Sequence, residues 1–161
     1  MSTNPLSFYM RQPKIYIRLP SNGQYWAPGS LEVSETGEYP VYSMTAKDEL
    51  ALKVPDALMN GQAVVDVIQH CVPNIKNAWA CPNLDLDILL IAIRLATYGE
   101  SLPMTTSIPE IDEEVEFEVD LRTLMEQLQQ KYHWDEEVVI NDQLTVYVKP
   151  LSYKHLSGIQ I

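Results

Sequence analysis

The stretch from about Leu84 to Tyr98 constrains the fold of this chain most. At 100° per residue, Ile88, Leu89, Ala92, Ile93, Leu95 and Ala96 cover one broad face. Only Asp87, Arg94 and Tyr98 form a polar stripe opposite. A helix apolar over so much of its circumference has to be enclosed by other elements, so the pattern predicts a central core helix with Gly99 as its C-cap. Arg94 then needs a partner, a surface or an interface, because a buried unpaired guanidinium costs several kcal/mol. Asp87, about two turns earlier on the same side, is within partial reach of its long side chain.

The flanking sequence supplies what encloses this helix. From Gly61 to Val72, Ala63, Val64, Val67, Ile68 and Cys71 fall on one side, and Gln62, Asp66, Gln69 and His70 on the other. This predicts an amphipathic helix stopped by Pro73. Thr45 reads as the N-cap of a helix from Ala46 to Val54, with Asp48 in its first turn and Pro55 ending it. Upstream, Lys14 to Leu19 alternates Ile15, Ile17 and Leu19 with Tyr16 and Arg18, the period of a half-buried strand. Leu31 to Val33 and Tyr39 to Met44 flank Glu35-Thr36-Gly37, which predicts a hairpin with Gly37 at positive φ. Downstream, Val115, Phe117 and Val119 alternate with Glu114, Glu116, Glu118 and Asp120: a strand with one core face and one acidic face. Asp120 caps a helix from Leu121 to Tyr132, and Val138 to Ile140 with Leu144 to Val148 form a second hairpin. Ser152 to Ile161 looks like the start of a helix.

The expected architecture is α+β, one small mixed domain over residues 1–161. Its blocks are 14–44, mainly strand; 45–99, mainly helix; 104–150, strand, helix and hairpin; and 152–161, a truncated helix. At 161 residues and 46% hydrophobic, the chain has material for a core without staples, and two cysteines give no disulfide framework.

Charge narrows the partners. Eleven basic residues against 22 acidic ones give a net charge of −11. This argues against a nucleic-acid backbone or an anionic membrane, both of which reward clustered Lys and Arg. Met1 to Pro20 contains no uninterrupted apolar run, so a signal peptide is not expected, and the apolar run inside Leu86 to Ala96 is too short to span a bilayer. The expected location is the cytosol in which the chain is made.

Few residues suggest catalysis. Glycine-rich phosphate loops, G-x-S-x-G and H-E-x-x-H are absent. Asp66 and His70, at i and i+4, read either as a metal or acid–base pair or as an ordinary ion pair on a solvated helix face. Cys71 falls at the centre of an apolar face and reads as a buried small hydrophobe. Cys81, ten positions on, is poorly spaced for a shared metal, so no metal or cofactor is expected. A small hydrolase or metal enzyme using His70 with Asp66 or Cys81 is the least favoured reading. Asp85 and Asp87 are accounted for by capping and the helix dipole.

The acidic run Glu110, Asp112, Glu113, Glu114, Glu116, Glu118 and Asp120 is the strongest charge feature. Alternate carboxylates on a strand lie about 6.8 Å apart, too far for neighbours to share one cation. The run is either a solvated edge that deters aggregation or a docking face for a basic partner. Trp79, in an unusually long connection from Pro73 to Asn83, and Trp26, in the N-terminal turn region, either cover the core or anchor a partner.

Several short strings occur together in order. They are Asp56-Ala57-Leu58-Met59-Asn60-Gly61, Cys71-Val72-Pro73, Asp85-Leu86-Asp87 leading into Leu90-Ile91-Ala92-Ile93-Arg94, and Ala96-Thr97-Tyr98-Gly99. With Met44 to Lys53 and Val119-Asp120-Leu121-Arg122, they resemble the baseplate hub assembly proteins of T-even-type contractile-tailed phages, from about Ile15 to Leu156. Two features depart from that family. Its C-P-x-C knuckle before the acidic strand is replaced by Ile108-Pro109-Glu110-Ile111, which removes any metal chemistry there. The chain also stops at Ile161, earlier than family members tend to. The resemblance implies a non-enzymatic factor without cofactors that helps build the tail-baseplate hub in the cytoplasm of the infected cell, or else a permanent baseplate subunit. Its implied partners are hub proteins. On this reading Trp79, Glu114, Glu116 and Glu118 are the candidate partner contacts, and Asp87 and Arg94 hold helices together.

Overall fold

The computed structural model describes residues 10–108, 113–129, 136–141 and 143–159. Two short strands, β1 (Ile15–Ile17) and β2 (Tyr39–Val41), pair antiparallel with Ile17 opposite Tyr39. Three helices follow: α1 (Ala46–Ala51), α2 (Pro55–Met59) and α3 (Gln62–Cys71). A single 3₁₀ turn, Ala78–Ala80, leads to the long helix α4 (Asn83–Tyr98). The chain then forms a ribbon of β3 (Ser101–Ile108) and β4 (Glu113–Asp120), helix α5 (Leu121–Leu128), a second ribbon of β5 (Glu137–Asn141) and β6 (Leu144–Tyr147), and helix α6 (Tyr153–Ile159). The architecture is α+β, as the pattern predicts, with each of its small sheets two-stranded.

Helix α4 is central. Ile88, Leu89, Ala92 and Ile93 are almost wholly enclosed by β1, β2, α3 and the segment after α3, where Val72, Ile75, Ala78 and Cys81 are also buried. Gly99 ends α4 at φ +90°, a conformation that favours glycine. Thr45 and Asp48 form a reciprocal capping box on α1, and Asp120 caps α5 through Arg122 and Thr123. Leu121 is buried, and Met125 and Leu128 pack on the core, so α5 uses the face expected of it; Tyr132 lies outside the described residues.

Some sequence expectations need correction. Leu31 to Val33 does not pair with Tyr39 to Met44. The turn at Gly37 forms, with φ +73°, but β2 pairs with β1, and Leu31 bridges to Ile75. Pairing with β1 encloses Ile17, Tyr39 and Val41 together, an arrangement that a local hairpin cannot supply. Helix α1 stops at Ala51, short of the expected Val54, and Pro55 does not end it but opens α2, where a proline at the first helical position loses nothing. Residues 101–108, to which the pattern assigns no element of its own, form a strand in full register with β4. The connection from Pro73 to Asn83 is not a free loop: Glu32 and Lys76 donate backbone hydrogen bonds that tie it to the segment at Ser30, and Gln69 accepts from Ala78.

Candidate functional site

The positions singled out for chemistry are placed apart. Asp66 accepts from Gln62 at 2.7 Å, whereas the His70 Nδ1 sits 2.8 Å from both oxygens of Asp48, so the expected Asp66–His70 pair does not form. Burial pushes the Asp48 carboxyl up, but hydrogen bonds from the Thr45 backbone, the Thr45 hydroxyl and His70 outweigh it and hold it below its usual range. The Arg11 guanidinium completes this cluster. It donates to the carbonyls of Ser43 and His70, contacts the Cys71 sulfur and lies over the Tyr42 ring. The cluster joins α1, α3 and the N-terminal segment.

Cys71 and Cys81 are fully buried. Desolvation raises both thiols, Cys81 strongly and with further push from the charges of Asp85 and Asp87. A nucleophilic cysteine needs the opposite shift, toward thiolate. Among the described residues, no group of three or more His, Cys, Asp or Glu side chains could hold a metal ion.

Asp85 has a role that capping does not explain. It is 0% exposed, and its carboxylate accepts from the Ser21 N–H at 2.9 Å, the Ser21 hydroxyl at 2.5 Å and the Trp26 indole N–H at 2.8 Å. Burial raises its carboxyl despite these three donors. Asp85 therefore pins the loop after β1 to the first turn of α4. Trp26 is held by that bond and packs on the core. Asp87 is exposed and, among the described residues, makes no ion pair with Arg94; the Arg94 guanidinium lies over the Tyr98 ring, 5.2 Å from its centroid.

Trp79 is half-buried and stacks on Tyr153 of α6, with ring centroids 5.6 Å apart. Gly61, at φ +77°, passes close beneath: a Cβ there would lie 3.0 Å from the Tyr153 hydroxyl and 3.2 Å from the Trp79 ring. Trp79 thus fastens α6 to the body while one edge faces a surface cleft.

Glu114, Glu116 and Glu118 are exposed along one face of the β3–β4 ribbon, opposite Ser107, Thr105 and Pro103. The other face carries Met104 opposite Phe117 and Leu102 opposite Val119. It does not become the core face expected of it, since Met104 is 44%, Val115 39% and Phe117 42% exposed. A two-stranded ribbon has no second layer of its own, so one face stays uncovered unless another element or molecule supplies it. Glu110 and Asp112 of the acidic run lie outside the described residues.

Comparison with family models matches residues 11–158 to the T4 bacteriophage base plate protein family. The chain belongs to this family. Comparison with curated proteins and with solved structures gives no match. In this baseplate protein two of the strings that carry the resemblance run through the core, Cys71-Val72-Pro73 at the end of α3 and Asp85 to Arg94 along α4, whereas Asp56 to Asn60 lies mostly at the surface. No helix among the described residues is long and apolar enough to cross a membrane. No local signal marks Asp85 in advance, because an acidic residue in a first helical turn is ordinary until its donors, some sixty positions upstream, are known.

Proposed function

We propose that this baseplate protein is a non-enzymatic assembly factor that helps build the central hub of a contractile tail baseplate in the cytoplasm of the infected cell. On this reading it engages a basic hub partner through the β3–β4 ribbon. The observation that carries the proposal is the ribbon itself: an uncovered apolar face at Met104, Val115 and Phe117 backed by the carboxylates of Glu114, Glu116 and Glu118. Apolar area supplies affinity, and the row of carboxylates steers an oppositely charged partner toward it. Of the positions weighed for catalysis, His70 bonds Asp48, Asp66 accepts from Gln62 on an exposed helix face, and both thiols are enclosed.

Co-expression with hub proteins followed by size-exclusion chromatography tests the partner. Association should slow as salt rises, because exposed charges are screened within about 8–10 Å at 0.1–0.15 M ionic strength. Changing Glu114, Glu116 and Glu118 to Gln should slow it by a similar route; an unchanged on-rate would return the acidic face to a merely solvated edge. Peptide counting on purified virions separates a transient factor from a permanent subunit, since stoichiometric copies would exclude the transient role.

A further inference from the structure

A cleft of about 470 Å³ is lined by two of the eleven basic residues of this acidic chain, Lys149 and Lys154. Tyr25, Trp26 and Trp79 offer aromatic surface, and Lys149, Lys154 and His155 bring positive or protonatable groups to the same space. The volume falls in the usual range for ligand sites, roughly 300–1,000 Å³. Both lysines are exposed, and among the described residues neither has an ion-pair partner.

Contacts of the lining residues hold the walls in place. Asp85 fixes the loop bearing Tyr25 and Trp26. The Tyr25 hydroxyl donates to Glu136 at 2.5 Å, which engages the nearby carboxylate. Tyr25 also holds φ at +67°, an uncommon conformation for a bulky residue that persists only where its surroundings impose it. Trp79 is set by its stack on Tyr153. The segment bearing Lys149 is anchored where Asn83 donates to the Leu151 carbonyl and Tyr153 donates to the Cys81 carbonyl, each at 2.8 Å. His155 Nδ1 lies 2.7 Å from the Ser152 hydroxyl, which orients the ring. Such pre-arrangement lowers the ordering cost of binding.

We propose that this cleft binds an extended acidic peptide segment of a partner protein, its apolar side chains against Tyr25, Trp26 and Trp79 and its carboxylates at Lys149 and Lys154. Charge complementarity selects the occupant. A net charge of −11 repels a long phosphate polymer, whereas a short segment with a few carboxylates meets the local lysines and needs the apolar surface as well. This site is separate from the β3–β4 ribbon and does not depend on the hub reading.

The test uses the full chain and a short fluorescein-labelled peptide alternating Glu and Leu, with a Lys-for-Glu counterpart and an oligothymidylate as competitors. Anisotropy should report binding of the Glu peptide, weakened about tenfold or more by Lys149→Glu with Lys154→Glu, while the Lys peptide gains affinity for that variant. Lys149→Gln with Lys154→Gln, a milder change, should weaken binding in the same direction. Changing Glu114, Glu116 and Glu118 to Gln should leave it unaltered, so this result and that of the ribbon are read independently. Equal binding by parent and lysine variants would overturn the proposal, as would tighter binding of oligothymidylate. Salt-sensitive self-association in sedimentation, lost in the lysine variants, would assign the cleft to a second copy and overturn it too.

Discussion

Strands β1 and β2 are three residues each, yet Ile17, Tyr39 and Val41 are at most 2% exposed. Strands β3 and β4 are eight residues each, yet Met104, Val115 and Phe117 stay 39–44% exposed. The second ribbon repeats the contrast, with Val139 and Tyr147 more exposed still. Strand length and burial are thus uncoupled here. The body around α4 is held by side chains from distant parts of the chain, and the ribbons are held mainly by their own backbone ladders. An isolated two-stranded ribbon is marginal in water, so these ribbons are where a binding partner has most left to contribute.

The contrast breaks most visibly at Asp85. If the body depends on this buried clamp, Asp85→Ala should destabilise the chain by about 3 kcal/mol, because the Ser21 and Trp26 donors lose their acceptor. Urea unfolding measures this, and a loss within the roughly 0.3–1 kcal/mol expected of a helix-dipole carboxylate would reduce Asp85 to that lesser role.

Asp48 sharpens the same point with a smaller effect. Asp48→Asn weakens the capping box and the bond to His70 and should cost about 1 kcal/mol at neutral pH. Its folded pKa is lowered, so the carboxylate's contribution is present above the usual value of 3.8 and is lost as pH falls through the lower folded value. Parent and variant stabilities measured by urea unfolding should therefore converge in acid; a constant gap would show that ionisation of Asp48 is not what stabilises the cap.

The ribbon should respond least. Phe117→Ser, on the uncovered face, should change stability by only about 0.5 kcal/mol. The same variant should weaken partner binding in the co-expression assay. A large stability loss with intact binding would mean that the ribbon face belongs to the fold.

Much of the body was legible in advance because its signals are local and redundant. The enclosed face of α4, the amphipathic α3, the Thr45 cap and the Asp120 cap all follow from spacing within a few residues. Strand pairing was less legible. The turn at Gly37 formed as expected, but a turn does not dictate which strand lies beside it, and Tyr39–Val41 chose β1. For the candidate surfaces, alternation located the acidic face of β4 correctly but misjudged its apolar face, since a period of two says which residues share a side and not whether anything covers it. The cleft was illegible, because its three walls come from positions far apart in the chain.

The sequence by itself determined helices α3, α4 and α5, the caps at Thr45, Gly99 and Asp120, the acidic row on β4 and the resemblance that the family match bears out, because each depends on residue type and short-range spacing. Only the tertiary structure decided that Asp85 clamps a distant loop, that His70 turns to Asp48 and away from Asp66, and that Lys149 and Lys154 meet Tyr25, Trp26 and Trp79. Those outcomes depend on which segments are brought within hydrogen-bonding or van der Waals reach, and packing around one enclosed helix makes that choice.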